Sequence, residues 1–180
     1  WVNNETGAIQ PIDQVAQLSR RHGALLHVDA VQAFGKIPVD FSALGADMLS
    51  LSAHKLGGPQ GVGALLVRDG LPVRPRLIGG GQELGRRAGT ENVAGIAGFA
   101  AAAEAAIAEL PLANLAAWRD RLEASLRARV SAAKIWAAAA SRLPNTSCIG
   151  MPGVGSETQV MAFDLAGFAV SAGSAFSSGK

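Results

Sequence analysis

Residues 49–67 read LSLSAHKLGGPQGVGALLV. Leu49 with Leu51, and Leu65 through Val67, have the composition of two buried strands. Between them lie Ser50, Ser52, His54 and Lys55, then the glycines Gly57, Gly58, Gly61 and Gly63. Lysine is among the residues least often buried, because desolvating an ammonium is costly unless it is paired or neutralised. A lysine placed where a strand runs into a glycine-rich turn needs a chemical reason.

Working outward, residues 24–30 (ALLHVDA) predict a short strand ending near Asp29, and 46–55 (ADMLSLSAHK) a second that ends at Lys55. Residues 61–70 (GVGALLVRDG) predict a third, closed by the turn signal Asp69–Gly70. Ile12, Val15, Ala16 and Ser19 have helical spacing, with Pro11 at the start and Gly23 past the end, so a helix is expected over 11–22. Residues 79–90 (GGGQELGRRAGT) form a glycine-rich loop, followed by helices expected over 91–110 and 112–133, parted by Pro111. In the tail, CIGMPGVG (148–155) and QVMAFDL (159–165) read as a turn followed by a strand, as in a separate α+β unit. The alternation of strands and helices points to an α/β sheet with a boundary in the helices after residue 91.

Composition narrows the class. The chain has 180 residues, 49% hydrophobic and 17% charged, enough for a real core and unlike a disordered segment. No apolar run approaches the roughly 18 residues of a membrane span, and the alanine-rich stretch 93–108 is interrupted by Gly95, Gly98 and Glu104. Sixteen Lys and Arg against 14 Asp and Glu leave a net charge of +2, too small an excess to imply nucleic acid. The locally basic segment 119–142 reads as a solvated helix face. Cys148 is the single cysteine, so nothing points to an oxidising compartment. No signal segment and no initiator methionine are present, and the chain is expected to be a piece of something longer.

Ligands of open α/β sheets sit beyond the carboxyl ends of the strands. Asp29 and Lys55 are both expected there, where the plain alternative is an ion pair at the rim of the sheet. Their neighbours are Gln32, one turn past Asp29, and Ser52 and His54 beside Lys55. Asn3, Asn4 and Thr6 close an earlier element. One chemistry uses this set together. A lysine amine forms a Schiff base with the aldehyde of pyridoxal 5'-phosphate, whose ring nitrogen requires a carboxylate partner. Serine and histidine next to the lysine can donate to the phosphate, where charge-assisted hydrogen bonds are strong. Imine formation also removes the isolated ammonium.

Five segments in order, VNNETGAIQPI, HVDAVQAFGKIPVDF, LSLSAHKLGGPQGVGALLV, GGGQELGRRAGTEN and SAGSA with SSG, resemble the cysteine desulfurases, pyridoxal phosphate enzymes of the class V aminotransferase group. The resemblance covers essentially the whole chain. It implies part of a large cofactor-binding domain over 1–95, with a mostly parallel sheet of the fold type I transferase kind. Linking helices and part of a small α+β domain are implied over 96–180. It implies that Lys55 is the Schiff-base lysine and moves the α-proton, and that Asp29 partners the pyridine nitrogen. Asn4 and Gln32 would hold the ring and its phenolic oxygen, and Ser52 and His54 the phosphate. Thr90 would reach the phosphate of a partner subunit's cofactor, making the enzyme a homodimer. His27 and Arg86 are read as structural. No metal centre, membrane or direct nucleic-acid contact is expected, and the location implied is cytoplasmic.

In the family's chemistry L-cysteine becomes L-alanine, and its sulfur passes to an enzyme cysteine on a loop. From there it goes to a sulfur-acceptor or iron–sulfur scaffold protein, for cluster assembly or sulfur transfer to RNA. This chain departs from the pattern at that loop: Phe176 stands where the sulfur-accepting cysteine belongs. Phenylalanine has no nucleophile, so a chain of this sequence is expected to be inactive in sulfur transfer. Cys148, read as a small buried hydrophobe, is a poor replacement. The family's upstream cofactor-stacking histidine and downstream substrate-gripping arginine are expected to lie outside the chain. Two alternatives stay open: another class V aminotransferase or lyase, and a non-catalytic remnant or dimer partner.

Overall fold

The computed structural model describes residues 1–173. Two compact units divide them: Trp1 with Pro11–Pro111, and Val2–Gln10 with the chain from Leu112 onward.

In the first unit, helix α1 (Ile12–Arg21) precedes strand β1 (His27–Asp29), short helix α2 (Phe41–Leu44) and strand β2 (Met48–Ser52). A single 3-10 turn (Ala53–Leu56) leads to strand β3 (Gly63–Val67), and after the glycine-rich loop comes helix α3 (Val93–Ala108). The sheet order is β1-β2-β3. β1 and β2 are parallel, in the register His27↔Met48, Val28↔Leu49 and Asp29↔Ser50. β3 runs antiparallel to β2, from Ser52↔Gly63 to Met48↔Val67. Residues 53–62 are too few for the crossover of about a dozen or more that a parallel return requires. Val28 and Leu49 carry the core of the sheet at 2% and 1% exposure; burying a leucine this fully is worth about 2 kcal/mol.

Helix α3 lies against the turn that follows β2 because its contact face is made of small residues. A Cβ on Gly98 would stand 2.6 Å from Pro59, and one on Gly58 would stand 3.1 Å from Ala102. One turn further along α3, Ala106 meets Gly35, whose own added Cβ would lie 2.9 Å away. The spacing Gly98, Ala102, Ala106 is one helical face. Asn92 caps the helix by accepting from Gly95 N–H at 3.0 Å.

In the second unit, helix α4 (Ala113–Arg129) is followed by the two-stranded pair β4 (Lys134–Ile135) and β5 (Ile149–Gly150), and then helix α5 (Ser156–Leu165). The strand expected at 159–165 is thus a helix. Its end explains why: Phe168 N–H donates to Phe163 O and Gly167 N–H to Asp164 O, both at 2.9 Å, with Gly167 at φ +82. That is the six-to-one and five-to-two bonding of a glycine-terminated helix, which an apolar run too short to show a period does not announce.

The solvated face expected for 119–142 is also only partly found. Arg121, Arg127 and Arg129 are exposed on α4. Arg142, beyond the helix, instead gives both terminal nitrogens to Glu123, at 2.8 and 2.9 Å, with side-chain exposures of 6% and 8%. Ser147 Oγ adds a third hydrogen bond to Glu123 at 2.7 Å, and Arg119 donates to Leu143 O at 2.6 Å. These arginines tie α4 to the loop after it. Among the described residues no single helix is long and apolar enough to cross a membrane.

Candidate active site

The parallel register of β1 and β2 positions the site. Asp29 is the last residue of β1, level with Ser50, and Ala30 N–H donates to Ser50 O at 3.0 Å before the chain turns away. β2 continues two residues further, to Ser52, and Lys55 follows in the 3-10 turn. Both side chains therefore emerge at the carboxyl ends of adjacent parallel strands, where α/β sheets bind ligands. The strand expected to reach Lys55 stops at Ser52, because the chain must bend to return as β3. Gly57 ends the turn at φ +79, a conformation that costs glycine little.

Local bonds set the polar groups. Asp29 Oδ1 accepts from Val31 N–H at 2.9 Å, an Asx turn that orients the carboxylate. Ser52 Oγ and His54 Nδ1 lie 2.8 Å apart, and His27 Nε2 lies 2.6 Å from Ser50 Oγ, joining the two strands. Ser52 and Lys55 are half-buried, whereas Asp29 and His54 are exposed.

Gln32 lies in the tight turn after β1, where Ala33 and Phe34 N–H both bond Ala30 O at 2.9 Å. Its Oε1 accepts from Lys36 Nζ at 2.8 Å. Burial, and then the neighbouring charge of Lys55, hold the pKa of Lys36 below the ordinary lysine value. Two lysines thus share one neighbourhood. Lys36 carries no signal in the sequence; only the turn that follows β1 brings it to Gln32. The turn is held in place by Gly35 (φ +75), where a Cβ would stand 2.6 Å from Leu56 Cδ2.

The remaining expected residues lie on other segments. Asn4 belongs to the second compact unit, exposed in a turn that Asn3 organises by accepting from Glu5 and Thr6 N–H at 3.0 and 2.8 Å. Thr90 is exposed in the first unit and is not the cap of α3, a role taken by Asn92. Phe176 lies outside the described residues. Cys148 is half-buried, and burial, then the charge of Glu5, push its thiol pKa up.

A groove of about 700 Å³ occurs at the opposite end of the strands, lined by Arg20, Asp47, Arg68 and Asp69 among others. Asp47 anchors that end by accepting from Leu26 N–H and Arg68 Nε, both at 2.8 Å. These bonds, the backbone one first, hold its pKa below the usual carboxylate value. The groove contains none of the candidate site residues.

The model of the class V aminotransferases matches residues 1–178, and the chain belongs to that family. Within it, the chain is similar to a protein of Cereibacter sphaeroides named cysteine desulfurase, 49% identical over 179 residues. A protein of the same name from Sinorhizobium fredii is 46% identical over 180 residues. Each alignment takes in 99% of this chain and 46% of the relative, so the chain spans about half the length of the curated relatives it matches. Among solved structures, a NifS-like protein from Rickettsia africae ESF-5 superposes with a TM-score of 0.89 at 36% identity, over 96% of this chain and 48% of that one.

Proposed function

We propose that the chain is part of a pyridoxal-phosphate-dependent cysteine desulfurase, with Lys55 as the lysine that holds the cofactor. The observation that carries this reading is the in-register pairing of parallel β1 and β2, which brings Asp29 and Lys55 to adjacent strand ends. The likeness to proteins named cysteine desulfurase supports the substrate, L-cysteine.

The donor set fits the cofactor. A primary amine, a carboxylate, a carboxamide, a hydroxyl and an imidazole match an aldehyde, a pyridine nitrogen, a phenolic oxygen and a phosphate. When bound, pyridoxal phosphate supplies a ring that spreads the charge left on carbon when an α-proton departs. Lys55 Nζ would hold the aldehyde carbon, and its amine is the group that would carry the α-proton. Asp29 keeps a proton on the pyridine nitrogen, and the Val31 N–H bond fixes the carboxylate for that task. Gln32 would donate to the phenolic oxygen. Ser52 and His54 donate to the phosphate.

On this reading Pro11–Pro111 contains the cofactor-binding unit and the chain from Leu112 onward contributes to a smaller domain. Thr90 serves the phosphate of a partner's cofactor in a cytoplasmic homodimer. An acceptor or iron–sulfur scaffold protein takes the sulfur in the family's intact members. With Phe176 at the position that the resemblance gives to the sulfur-accepting cysteine, this sequence binds L-cysteine and moves its α-proton but has no thiolate at that position to take sulfur. Phe176 also favours a second reading, a class V aminotransferase or lyase without sulfur transfer.

The test is the full-length protein loaded with pyridoxal phosphate. A visible absorption band that borohydride traps on Lys55, and that Lys55→Ala abolishes, is the expected result. A band that survives Lys55→Ala and resists borohydride would defeat the reading.

A further inference from the structure

We infer that Lys36 is a positioning residue for the cofactor: by donating to Gln32 Oε1 it fixes the side-chain amide so that Nε2 is the arm that donates to the phenolic oxygen. The inference rests on the proposed function and assigns a task to a residue that the motif comparison left without one.

The argument is one of hydrogen-bond complementarity. A carboxamide has an acceptor arm and a donor arm, and a half-turn about its last bond exchanges them with little intrinsic preference. An ammonium offers three donors and no acceptor. With Lys36 Nζ 2.8 Å from the amide, only the Oε1 arm can face it, and Nε2 is directed to the other side. A phenolic oxygen that carries negative charge needs a donor, and the reversed amide would present a lone pair to it instead. Lys36 thus decides which of two nearly equal rotamers Gln32 adopts.

The surroundings keep Lys36 in place. Its backbone N–H donates to Ala33 O at 3.0 Å, and Ala33 is fully buried. Gly35, immediately before it, is pressed against Leu56, the neighbour of Lys55. The turn carrying Gln32 and Lys36 is therefore braced on the turn carrying Lys55.

The test compares Lys36→Met, Gln32→Leu and the double variant in the full-length holoenzyme, reading the pH midpoint of the visible band of bound pyridoxal phosphate. A hydrogen bond of net strength near 1 kcal/mol corresponds to a midpoint shift of up to about one pH unit. Lys36→Met should move the midpoint in the same direction as Gln32→Leu, and the double variant should move it no further than Gln32→Leu alone. Lys36→Arg, which still donates to Oε1, should stay near the wild-type midpoint. Only folded, loaded protein contributes to the band, so partial unfolding of a variant lowers its amplitude without moving the midpoint. A wild-type midpoint in Lys36→Met, or fully additive shifts in the double variant, would overturn the inference while leaving the Lys55 reading intact. Loss of any Lys55-dependent band in the wild type would remove both.

Discussion

Asp29 and Lys55 stand at the carboxyl ends of adjacent parallel strands, Asp29 level with Ser50 and Lys55 in the turn that follows Ser52. Because side chains alternate faces along a strand, slipping β1 by one residue against β2 would send Asp29 to the opposite face and bring Val28 out of the core. Val28 and Leu49, the buried pair of that register, hold the carboxylate and the amine together. Packing in the sheet and chemistry at its edge depend on the same alignment.

Asp29→Asn in the full-length protein should retain the cofactor but slow exchange of the substrate α-proton. An amide has no negative charge to keep the pyridine nitrogen protonated, so loss of that group should cost on the order of 10²-fold. Proton NMR of the substrate in deuterium oxide measures this directly. Exchange at the wild-type rate would take Asp29 out of the ring-nitrogen role.

Phe176→Cys should confer persulfide formation on the full-length protein given L-cysteine, whereas Cys148→Ser should change nothing in sulfur transfer. Cys148 is half-buried, with its thiol pKa raised by burial and by Glu5, which leaves little thiolate to attack sulfur. Peptide mass spectrometry after alkylation locates the persulfide. Finding it on Cys148 with Phe176 intact would make Cys148 the acceptor.

Glu123→Ala should destabilise the second unit by about 3 kcal/mol, because Arg142 keeps a buried charge without its partner. The bidentate bond from Arg142, aided by Ser147, holds the Glu123 pKa below the ordinary glutamate value. A depressed carboxylate pKa contributes stability that is present above the unfolded value and lost as pH falls through the folded one. Denaturant melts of the wild type should thus lose stability on acidification below about pH 4.5. Glu123→Gln should remove that part of the slope. Equal acid sensitivity in the two proteins would show that the pair does not contribute.

Gly35→Ala should weaken both stability and cofactor binding. The new Cβ would meet Leu56 Cδ2 at 2.6 Å and Ala106 at 2.9 Å, in a backbone at φ +75 that alanine resists. A loss of about 2 kcal/mol is expected from strain and displacement together. Equilibrium dialysis of pyridoxal phosphate beside a thermal melt separates the two effects. Affinity unchanged in a destabilised protein would show that the Lys55 turn does not feel its neighbour.

Much of this site was legible as one-dimensional text. Apolar runs ending in Asp29 and beside Lys55 announced strands, and polar groups at strand ends announced a ligand. Those inferences rest on burial costs that act on each residue separately. The helical period of α5 is not legible, since an apolar run as short as 159–165 satisfies either period until Gly167 closes the helix. Arg142 reads in the sequence as a solvated charge, because its partner Glu123 lies on a different element. Lys36 carries no signal of its own in the sequence. Its meaning comes from a turn that points it at Gln32 and packs that turn against the neighbour of Lys55. The sequence by itself determined which side chains could do the chemistry, because ionisation and nucleophilicity are properties of residue types. Only the tertiary structure decided which of them meet, because the direction of a hydrogen bond and the pairing of a charge depend on neighbours that the fold brings together.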